Sequence, residues 1–241
     1  MKIDEIKTKV EGIPYMDRTQ AETITNIILE NNFNNILELG FAHGVSTCYM
    51  AGALDELGSG KITTIDLEKA NRLKPNIEQL LNTLGLAKFA TVLYEPSSYN
   101  WRLMKMLAQY PSPKFDFCYI DGGHNWSDTG FAFFLVDRLL KSNGIIVFDD
   151  LDWTYDSSPN LKNTEKVKRM PQDEKSTPQV RKVYELLVKP HPFYDEFIER
   201  DGWVCSQDLY RSDSTIPLNK HFETDCFTSS LVPFPQKFAL F

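Results

Sequence analysis

Between residues 35 and 150, short apolar runs alternate with segments whose apolar residues recur at helical spacing. The runs are rich in β-branched and aromatic residues, and they predict strands at 36–39, 61–65, 90–94, 115–120 and 144–148. The intervening segments predict helices at 47–57, 75–84, 100–109 and 127–140. Strands that alternate with helices in this way are typical of a parallel sheet with crossover helices, so few other folds are open to the chain.

Two of the predicted strands, FDFCYI and GIIVF, are almost entirely apolar rather than alternating. Strands of a parallel sheet that helices cover on both faces have this composition. The runs FYDEFIER and WVCSQDLY flank Asp201-Gly202, a dipeptide typical of a two-residue hairpin turn. We therefore predict an α/β fold, with a doubly wound, mostly parallel sheet that ends in an antiparallel hairpin and carries helices on both faces.

We interpret residues 1–241 as a single domain with five parts. They are an N-terminal helical segment (1–34), a ligand-binding core (35–150), a lid or insertion (151–176), a helix with the terminal hairpin (177–210) and a C-terminal tail (211–241). Two further helices are predicted, at 19–30 and 177–188, from apolar residues at i, i+3, i+4 and i+7 spacing. The lid segment is polar and contains Pro159 and Pro171, so we expect an irregular loop there.

The formal net charge of the chain is −7, so no global positive field exists that would attract nucleic acid or an anionic membrane. Neither is an expected partner. The first ten residues, MKIDEIKTKV, lack the apolar stretch of a signal peptide, and the apolar runs are far shorter than a membrane span. We expect a cytoplasmic protein. The basic run KVKRM is most often a solvated face, and a lid that attracts an anionic substrate is the alternative.

The first predicted strand leads into a glycine-containing turn, ILELGFAHGVST, at the edge where open parallel sheets bind ligands. A pyrophosphate-binding fingerprint needs glycines at 40, 42 and 45, but Ala42 and Val45 occupy the last two positions, which disfavours a dinucleotide. Gly40 and Gly44 still allow close approach of an adenosine-bearing ligand, and Ser46 lies at a helix N-terminus that can bind a carboxylate. The alternative is an ordinary strand-to-helix turn.

Polar residues also follow the second and third predicted strands. Asp66 ends the second strand, where doubly wound folds keep an acid for ribose hydroxyls, and a solvated loop aspartate is the alternative. Ser97 and Ser98 follow the third strand and place two small hydroxyls at the same edge of the sheet. On their own they are a weak signal.

Three carboxylates follow the fourth and fifth predicted strands. Asp121 ends FDFCYID, and Asp149 and Asp150 end GIIVFDD, one helical crossover later. Neighbouring parallel strands would bring the three carboxylates into one pocket, where a hard divalent cation such as Mg²⁺ would neutralise them. The alternative is that they are a helix cap and surface acids.

His124 lies three residues beyond Asp121, in a glycine-rich loop beside the proposed cation. An imidazole with an ordinary pKa of about 6.5 is a suitable base for a substrate proton at neutral pH. Alternatively, His124 only binds backbone or substrate.

The combination of E-L-G-x-x-x-G-x-S, then I-D, then IDGGH, then IIVFDD resembles class I S-adenosylmethionine-dependent methyltransferases over residues 15–153. Within that superfamily it is similar to small-molecule O-methyltransferases of the catechol and macrocin type, whose Rossmann-like sheet also ends in an antiparallel strand. The catechol branch has a lysine where this chain has His124, and an asparagine where it has Asp150.

The resemblance implies S-adenosylmethionine as cofactor, Mg²⁺ as the most suitable metal, and methyl transfer to a hydroxyl of a small molecule, a sugar or a natural-product intermediate. It also implies a homodimer as a family-level expectation. The implied cofactor-binding residues are Glu38, Gly40, Gly44, Ser46, Asp66, Ser97 and Ser98. The implied metal ligands are Asp121, Asp149 and Asp150, and the catalytic residues are His124 and Asp121.

Three other interpretations are open. One is a metal-independent methyltransferase of the same fold. Another is a nicotinamide oxidoreductase, which would need the glycines missing at 42 and 45 and would leave the three carboxylates unexplained. The third is a cofactor-binding protein without catalytic activity.

Overall fold

The computed structural model describes residues 2–110, 112–200 and 202–208, and within them seven strands form one sheet. The strands are β1 (Asn35–Leu39), β2 (Lys61–Leu67), β3 (Ala90–Glu95), β4 (Phe115–Ile120), β5 (Leu140–Phe148), β6 (Tyr194–Arg200) and β7 (Trp203–Asp208). Their order is β3-β2-β1-β4-β5-β7-β6. Strands β1 to β5 are parallel, and β7 pairs antiparallel with both β5 and β6. The predicted fold class is therefore confirmed.

Nine α-helices connect or flank these strands in the described residues. They are α1 (Lys2–Val10), α2 (Arg18–Glu30), α3 (Val45–Leu57), α4 (Ile77–Thr83), α5 (Tyr99–Gln109), α6 (Trp126–Asp137), α7 (Glu165–Lys168), α8 (Gln172–Ser176) and α9 (Gln179–Val183). Short 3₁₀ turns occupy Glu68–Arg72 and Ala87–Phe89, and a π-helical turn, Tyr184–Val188, continues α9. None of these helices has the length and apolarity that a bilayer crossing requires.

Two apolar clusters cover the two faces of the sheet. On one face, Ile36 packs in a cluster that includes residues of α1 to α4. On the other, the adjacent Leu37 packs in a cluster that includes residues of α5, α6 and α9. Successive side chains of a strand point to opposite faces, so a strand buried on both sides is apolar throughout. This explains the uninterrupted apolar runs and confirms the doubly wound arrangement.

The strand order reverses between β1 and β4. From β1, the chain builds outwards to β2 and β3, then returns to pair β4 with the other side of β1. In open α/β sheets, ligands bind in the crevice that such a reversal leaves at the carboxyl ends of the strands. The fold thus places the predicted site residues at the edge where a ligand is expected.

The helices differ from the predictions in three places. Helix α1 lies within the predicted N-terminal helical segment but was not itself predicted; its Ile6 packs over Gly52 of α3. The helix predicted at 127–140 ends at Asp137, because the carbonyl of Leu139 accepts bonds from the amides of Lys114 and Phe115 and Leu140 begins β5. The predicted loop at 151–176 contains the short helices α7 and α8.

The predicted hairpin is present as β6 and β7, with Arg200 paired to Trp203 across a two-residue connection. Gly202 has φ of +78°, a conformation that favours glycine. Asp201 and the predicted tail at 211–241 lie outside the described residues.

Candidate active site

A cavity of about 1050 Å³ opens at the carboxyl ends of the parallel strands, where the strand order reverses. Most of the predicted site residues line it, and each lies at the carboxyl end of one of β1 to β5 or in the loop that follows that strand. They are Gly40, Asp66, Ser97, Ser98, Asp121, His124, Asp149 and Asp150. The predicted residues Glu38, Gly44 and Ser46 do not line the cavity.

Gly40 joins the two halves of the sheet beneath the cavity. Its φ is +87°, and a Cβ atom built there would lie 2.1 Å from the carbonyl oxygen of Asp121. The Gly40 amide donates to the carbonyl of Ile65 on β2, and the Asp121 amide donates to the carbonyl of Leu39 on β1. Only glycine allows the turn after β1 to approach the end of β4 this closely.

Asp66 holds the turn after β1 in place. Its Oδ2 accepts hydrogen bonds from the amides of Phe41 at 2.9 Å and Ala42 at 2.8 Å, and its Oδ1 accepts from the amide of Leu67 at 2.6 Å. A carboxylate has about four lone-pair positions, so these bonds leave acceptor capacity on the cavity side. Asp66 can therefore order the turn and still accept from a ribose hydroxyl.

Glu38 lies behind the turn, not in the cavity. Its fully buried carboxylate accepts hydrogen bonds from the hydroxyls of Ser46, of Thr47 at 2.5 Å and of Thr64 at 2.5 Å. Burial raises the pKa of Glu38 to about 7, although the three hydroxyls act in the opposite direction. The network ties the first turn of α3 to β1 and β2. Direct contact of Glu38 and Ser46 with a cofactor stays a prediction.

Gly44 also acts through packing in this structure. Its φ is +89°, and a Cβ atom there would lie 2.5 Å from Cγ1 of Ile77 at the start of α4. The glycine lets α3 begin close to α4, and its predicted contact with the cofactor likewise stays a prediction.

We expect the free energy of unfolding of the Glu38→Gln variant to depend less on pH than that of wild type. A carboxyl whose pKa is raised on folding stays protonated in the folded chain between its unfolded pKa, 4.5, and about 7, so folding stability falls as pH rises through that window. The glutamine amide does not titrate, so it cannot contribute this dependence of stability on pH. Urea unfolding at pH 5 and pH 8 should give a wild-type difference that exceeds the variant's by about 2.5 kcal/mol.

The exposed Glu30→Gln, at the end of α2, is the matched control and should leave the pH dependence of wild type in place. Equal pH slopes in wild type and Glu38→Gln would contradict the assignment. If the amide accepts fewer hydrogen bonds than the carboxyl group, the loss lowers the stability equally at both pH values and cancels in the comparison.

Asp121, His124 and Asp150 form a compact group on the cavity floor. The Nε2 atom of His124 lies 3.4 Å from Oδ1 of Asp121 and 3.2 Å from Oδ2 of Asp150. One potential ligand atom from each residue lies within 4.8 Å of the other two, as in a metal site. His124 and Asp150 have φ of +43° and +57°, which are strained values for residues with side chains. Such strain is concentrated at functional sites.

Burial and neighbouring charges shift the pKa values of this group. Burial raises the pKa of Asp121 well above its ordinary value, and the nearby carboxylates add to the effect while His124 opposes it. Burial alone would lower the pKa of His124, but the hydrogen bond and charge of Asp121, with Asp150 and Asp149, raise it overall. A cation of some kind is therefore favoured among these carboxylates, and the imidazolium of His124 supplies one.

Asp149 lines the cavity but is not part of the three-residue group. One of its oxygens accepts from the hydroxyl of Tyr119, and the other accepts from the amide of Asp150 at 2.6 Å. Burial raises its pKa, although the bond from Tyr119 opposes the shift. The structure groups Asp121 and Asp150 with His124, whereas the role of Asp149 as a third aspartate ligand stays a prediction.

Tyr119 was not singled out from the sequence. It is fully buried on β4, two residues before Asp121, and its ring lies 5.4 Å from that of Trp203 on β7. Its position before the strand end was a signal, since a buried phenol needs an acceptor and the nearest strand end carries acids. The structure gives it the role of holding Asp149.

Two segments cover the cavity. Residues 15–20 contribute Tyr15, Met16, Asp17 and Gln20, and residues 158–161 of the predicted lid contribute all four of their side chains. Trp153 also lines the cavity, with its ring 5.1 Å from that of His124 and 4.9 Å from that of Tyr155. The predicted lid therefore does border the site. The N-terminal wall was missed, because only the capping pattern D-x-x-Q marked this stretch.

We compared the chain with protein families, curated sequences and solved structures. Residues 37–151 match the family model described as "Methyltransferase domain". A comparison with curated protein sequences gave no match. Among solved structures, the O-methyltransferase from Bacillus cereus in complex with S-adenosylhomocysteine (SAH) is 18% identical and has a TM-score of 0.60, over 86% of this chain and 90% of that one.

Two further structures are similar. TomG from Streptomyces achromogenes, an O-methyltransferase of tomaymycin synthesis in complex with S-adenosylmethionine (SAM), is 17% identical with a TM-score of 0.61, over 86% of this chain and 88% of that one. A Staphylococcus aureus protein provisionally described as a caffeoyl-CoA O-methyltransferase is 21% identical with a TM-score of 0.61, over 86% of this chain and 91% of that one.

The chain therefore contains a methyltransferase domain at residues 37–151, within the seven-stranded sheet described above. Its fold is the one that the three O-methyltransferase structures share.

Proposed function

We propose that the protein transfers the methyl group of SAM to a hydroxyl of a small molecule, with a divalent cation and with His124 as the base. The observation that carries the proposal is the group of Asp121, His124 and Asp150 on the floor of the cavity, next to the turn after β1. SAM supplies an electrophilic methyl on its sulfonium. The chain must then supply an activated hydroxyl and hold it in line with that methyl.

The cofactor half of the cavity is formed by the loops after β1, β2 and β3. Gly40 and Ala42 expose backbone, Asp66 offers a carboxylate for ribose hydroxyls, and Ser97 and Ser98 line the wall after β3. The cavity volume of about 1050 Å³ leaves room for a nucleoside cofactor and a small acceptor together. Glu38 and Ser46 would act from behind by fixing the turn, as their hydrogen bond indicates.

The donor set on the cavity floor fits a hard divalent cation. Carboxylate oxygens of Asp121 and Asp150 are the ligands that Mg²⁺ prefers, and they lie close enough together to share one ion. We propose that these two residues hold the cation and that Asp149, also predicted as a ligand, supports Asp150 through its backbone amide. When bound, the cation would lower the pKa of an acceptor hydroxyl.

His124 is the proposed base because its Nε2 faces this group. Without a metal, the imidazolium form is favoured, since the surrounding aspartates raise its pKa. A cation bound to the same aspartates would neutralise their charge, so the pKa of His124 would be lower. The imidazole would then be neutral and could accept a proton. Asp121 would orient the ring and stabilise the imidazolium that forms after proton transfer.

A metal-independent methyltransferase is the second candidate, and the same pairing favours it. His124 already lies between two carboxylates, an arrangement that can orient and activate a base without a metal. The two candidates differ in whether turnover needs a cation.

Calorimetric titration of SAM into the chelator-treated protein, repeated with Mg²⁺ and with Asp150→Ala, tests the proposal. We expect micromolar SAM binding in both proteins and a separate Mg²⁺ signal that the variant weakens by about tenfold or more. SAM binding with no Mg²⁺ signal in wild type would favour the metal-independent candidate. Absence of SAM binding would overturn the proposed function.

A further inference from the structure

We propose that the acceptor is a hydroxyl-bearing ring that carries no phosphate or carboxylate, and that acyl-CoA thioesters are therefore not substrates. The inference rests on the proposed function, since it concerns the acceptor end of the same cavity. It excludes negatively charged acceptors from the substrate class.

The charge of the cavity wall carries the inference. Among the described residues, six aspartates line the cavity, and Lys69 is the one lysine or arginine that does. The aspartates are Asp17, Asp66, Asp121, Asp128, Asp149 and Asp150. With every carboxylate ionised, a divalent cation and the single net positive charge of SAM offset three negative charges and Lys69 offsets a fourth. Two remain, so an anionic acceptor meets net electrostatic repulsion from the cavity wall.

Two arginines next to cavity-lining segments or their neighbours pair with carboxylates that do not line the cavity, and Lys162, which follows Leu161, does not line it either. Arg18, next to Asp17, pairs with Glu22 at 2.5 Å. Arg181 of α9 pairs with Asp152 and Glu199, both at 2.7 Å. These arginines do not line the cavity, and neither does any residue of the basic run KVKRM. The alternative that this run attracts an anionic substrate is thus not supported.

The covering segments offer groups that suit an uncharged or amine-bearing ring. Gln20, Ser158 and Asn160 can donate to and accept from hydroxyls without adding net charge. Trp153 presents an aromatic surface next to His124, on which the apolar face of a ring can pack. An acceptor that packs there would bring one hydroxyl towards His124 while its other hydroxyls reach the amides. Acyl-CoA thioesters carry several phosphate charges, and the described part of this wall offers them no arginine and no second lysine.

Two sets of acceptor probes that differ in charge test the inference. One set is catechol, dopamine and 3,4-dihydroxybenzoate; the other is glucose, glucosamine and glucose 6-phosphate; caffeoyl-CoA is added as the acyl-CoA probe. Binding of each is measured by calorimetry on the full chain loaded with Mg²⁺ and SAH, and turnover by SAH release from SAM. We expect the neutral or cationic member of at least one set to bind at least about tenfold more tightly than its anionic member, and no turnover of caffeoyl-CoA.

Asp17→Asn is the informative variant. Asn caps a helix as well as Asp does, so α2 keeps its N-cap while the cavity loses one negative charge. The variant should narrow the discrimination against the anionic probes about threefold or more, whereas the exposed Asp4→Asn on α1 should not change it.

Two outcomes would overturn the inference: tighter binding or faster turnover of an anionic probe, or equal behaviour within both sets, including no binding by any member. Failure of the proposed function is distinguishable, since the protein would then bind neither SAM nor SAH.

Discussion

Methyl transfer by the His124→Gln variant should be about 10²–10⁴-fold slower than by wild type, the range that a positioned general base contributes. Glutamine can keep a hydrogen bond to Asp121 or Asp150 but cannot take a proton at neutral pH. The affinity for SAM, measured by calorimetry, should stay within about threefold, because the proposed cofactor residues lie on other loops. Initial rates of SAH formation at saturating acceptor measure the effect.

The pH profile separates a base from a merely structural histidine. The wild-type rate should rise with pH as the imidazolium of His124 loses its proton, and the variant should lack this rise. His191→Gln is the control, since His191 packs against Phe133 and Tyr194 away from the cavity lining. A variant at 124 that retains the wild-type rate and pH profile would exclude His124 as the base.

The free energy of unfolding of the Gly40→Ala variant should be at least about 4 kcal/mol lower than that of wild type, or the variant should fail to bind SAM. The added Cβ atom would meet backbone atoms, which cannot move aside as a side chain can. That atom would lie 2.1 Å from the carbonyl oxygen of Asp121, so either the turn after β1 or the end of β4 must shift. Both carry the proposed site. Urea unfolding and SAM calorimetry measure the two consequences.

Gly85→Ala is the matched control. Gly85 also has a positive φ, +67°, but a Cβ atom built there would have no heavy atom within 4 Å. Alanine there should cost only the backbone strain, about 1–2 kcal/mol. If the two variants are equally stable, the close approach of Gly40 to Asp121 is not a constraint on the fold.

The strand ends that form the site could be predicted because they depend on local patterns. The apolar runs gave β4 and β5, and one helical crossover between them predicted neighbouring parallel strands. Ile120 pairs with Phe148 in the sheet, which brings the loops with Asp121 and Asp149 side by side. Which of the aspartates group together could not be predicted, because the hydroxyl of Tyr119 decides how Asp149 points.

The role of Glu38 shows a second limit. A residue at the end of β1 is expected near a ligand, yet alternate side chains of a strand face opposite sides of the sheet. Glu38 therefore faces the same side as Ile36, towards α3, where Ser46 and Thr47 donate to its carboxylate. The strand was predicted correctly, and the resemblance identified Glu38 as a site residue. The direction of its side chain could not be predicted, because it depends on how α3 packs against the sheet.

Helix α1 illustrates dependence on distant contacts. Its nine residues are too few to form a stable isolated helix, and most of them are polar. Ile6 is fully buried because Gly52 of α3 leaves room for it. Nothing near the N-terminus of the sequence indicates that a glycine 46 positions later receives this side chain.

The pairing of β1 with β4 has a consequence for how the chain folds. The amide of Asn35 binds the carboxylate of Asp116, 81 residues further along, and the two halves of the sheet meet at this junction. Contacts between residues so far apart in sequence give a high contact order, and proteins with high contact order fold slowly. During synthesis, β1, β2 and β3 emerge first and leave one edge of β1 unpaired until β4 arrives. The cavity takes residues from both sides of this junction, so the capacity to bind SAM should appear only after β1 and β4 have paired.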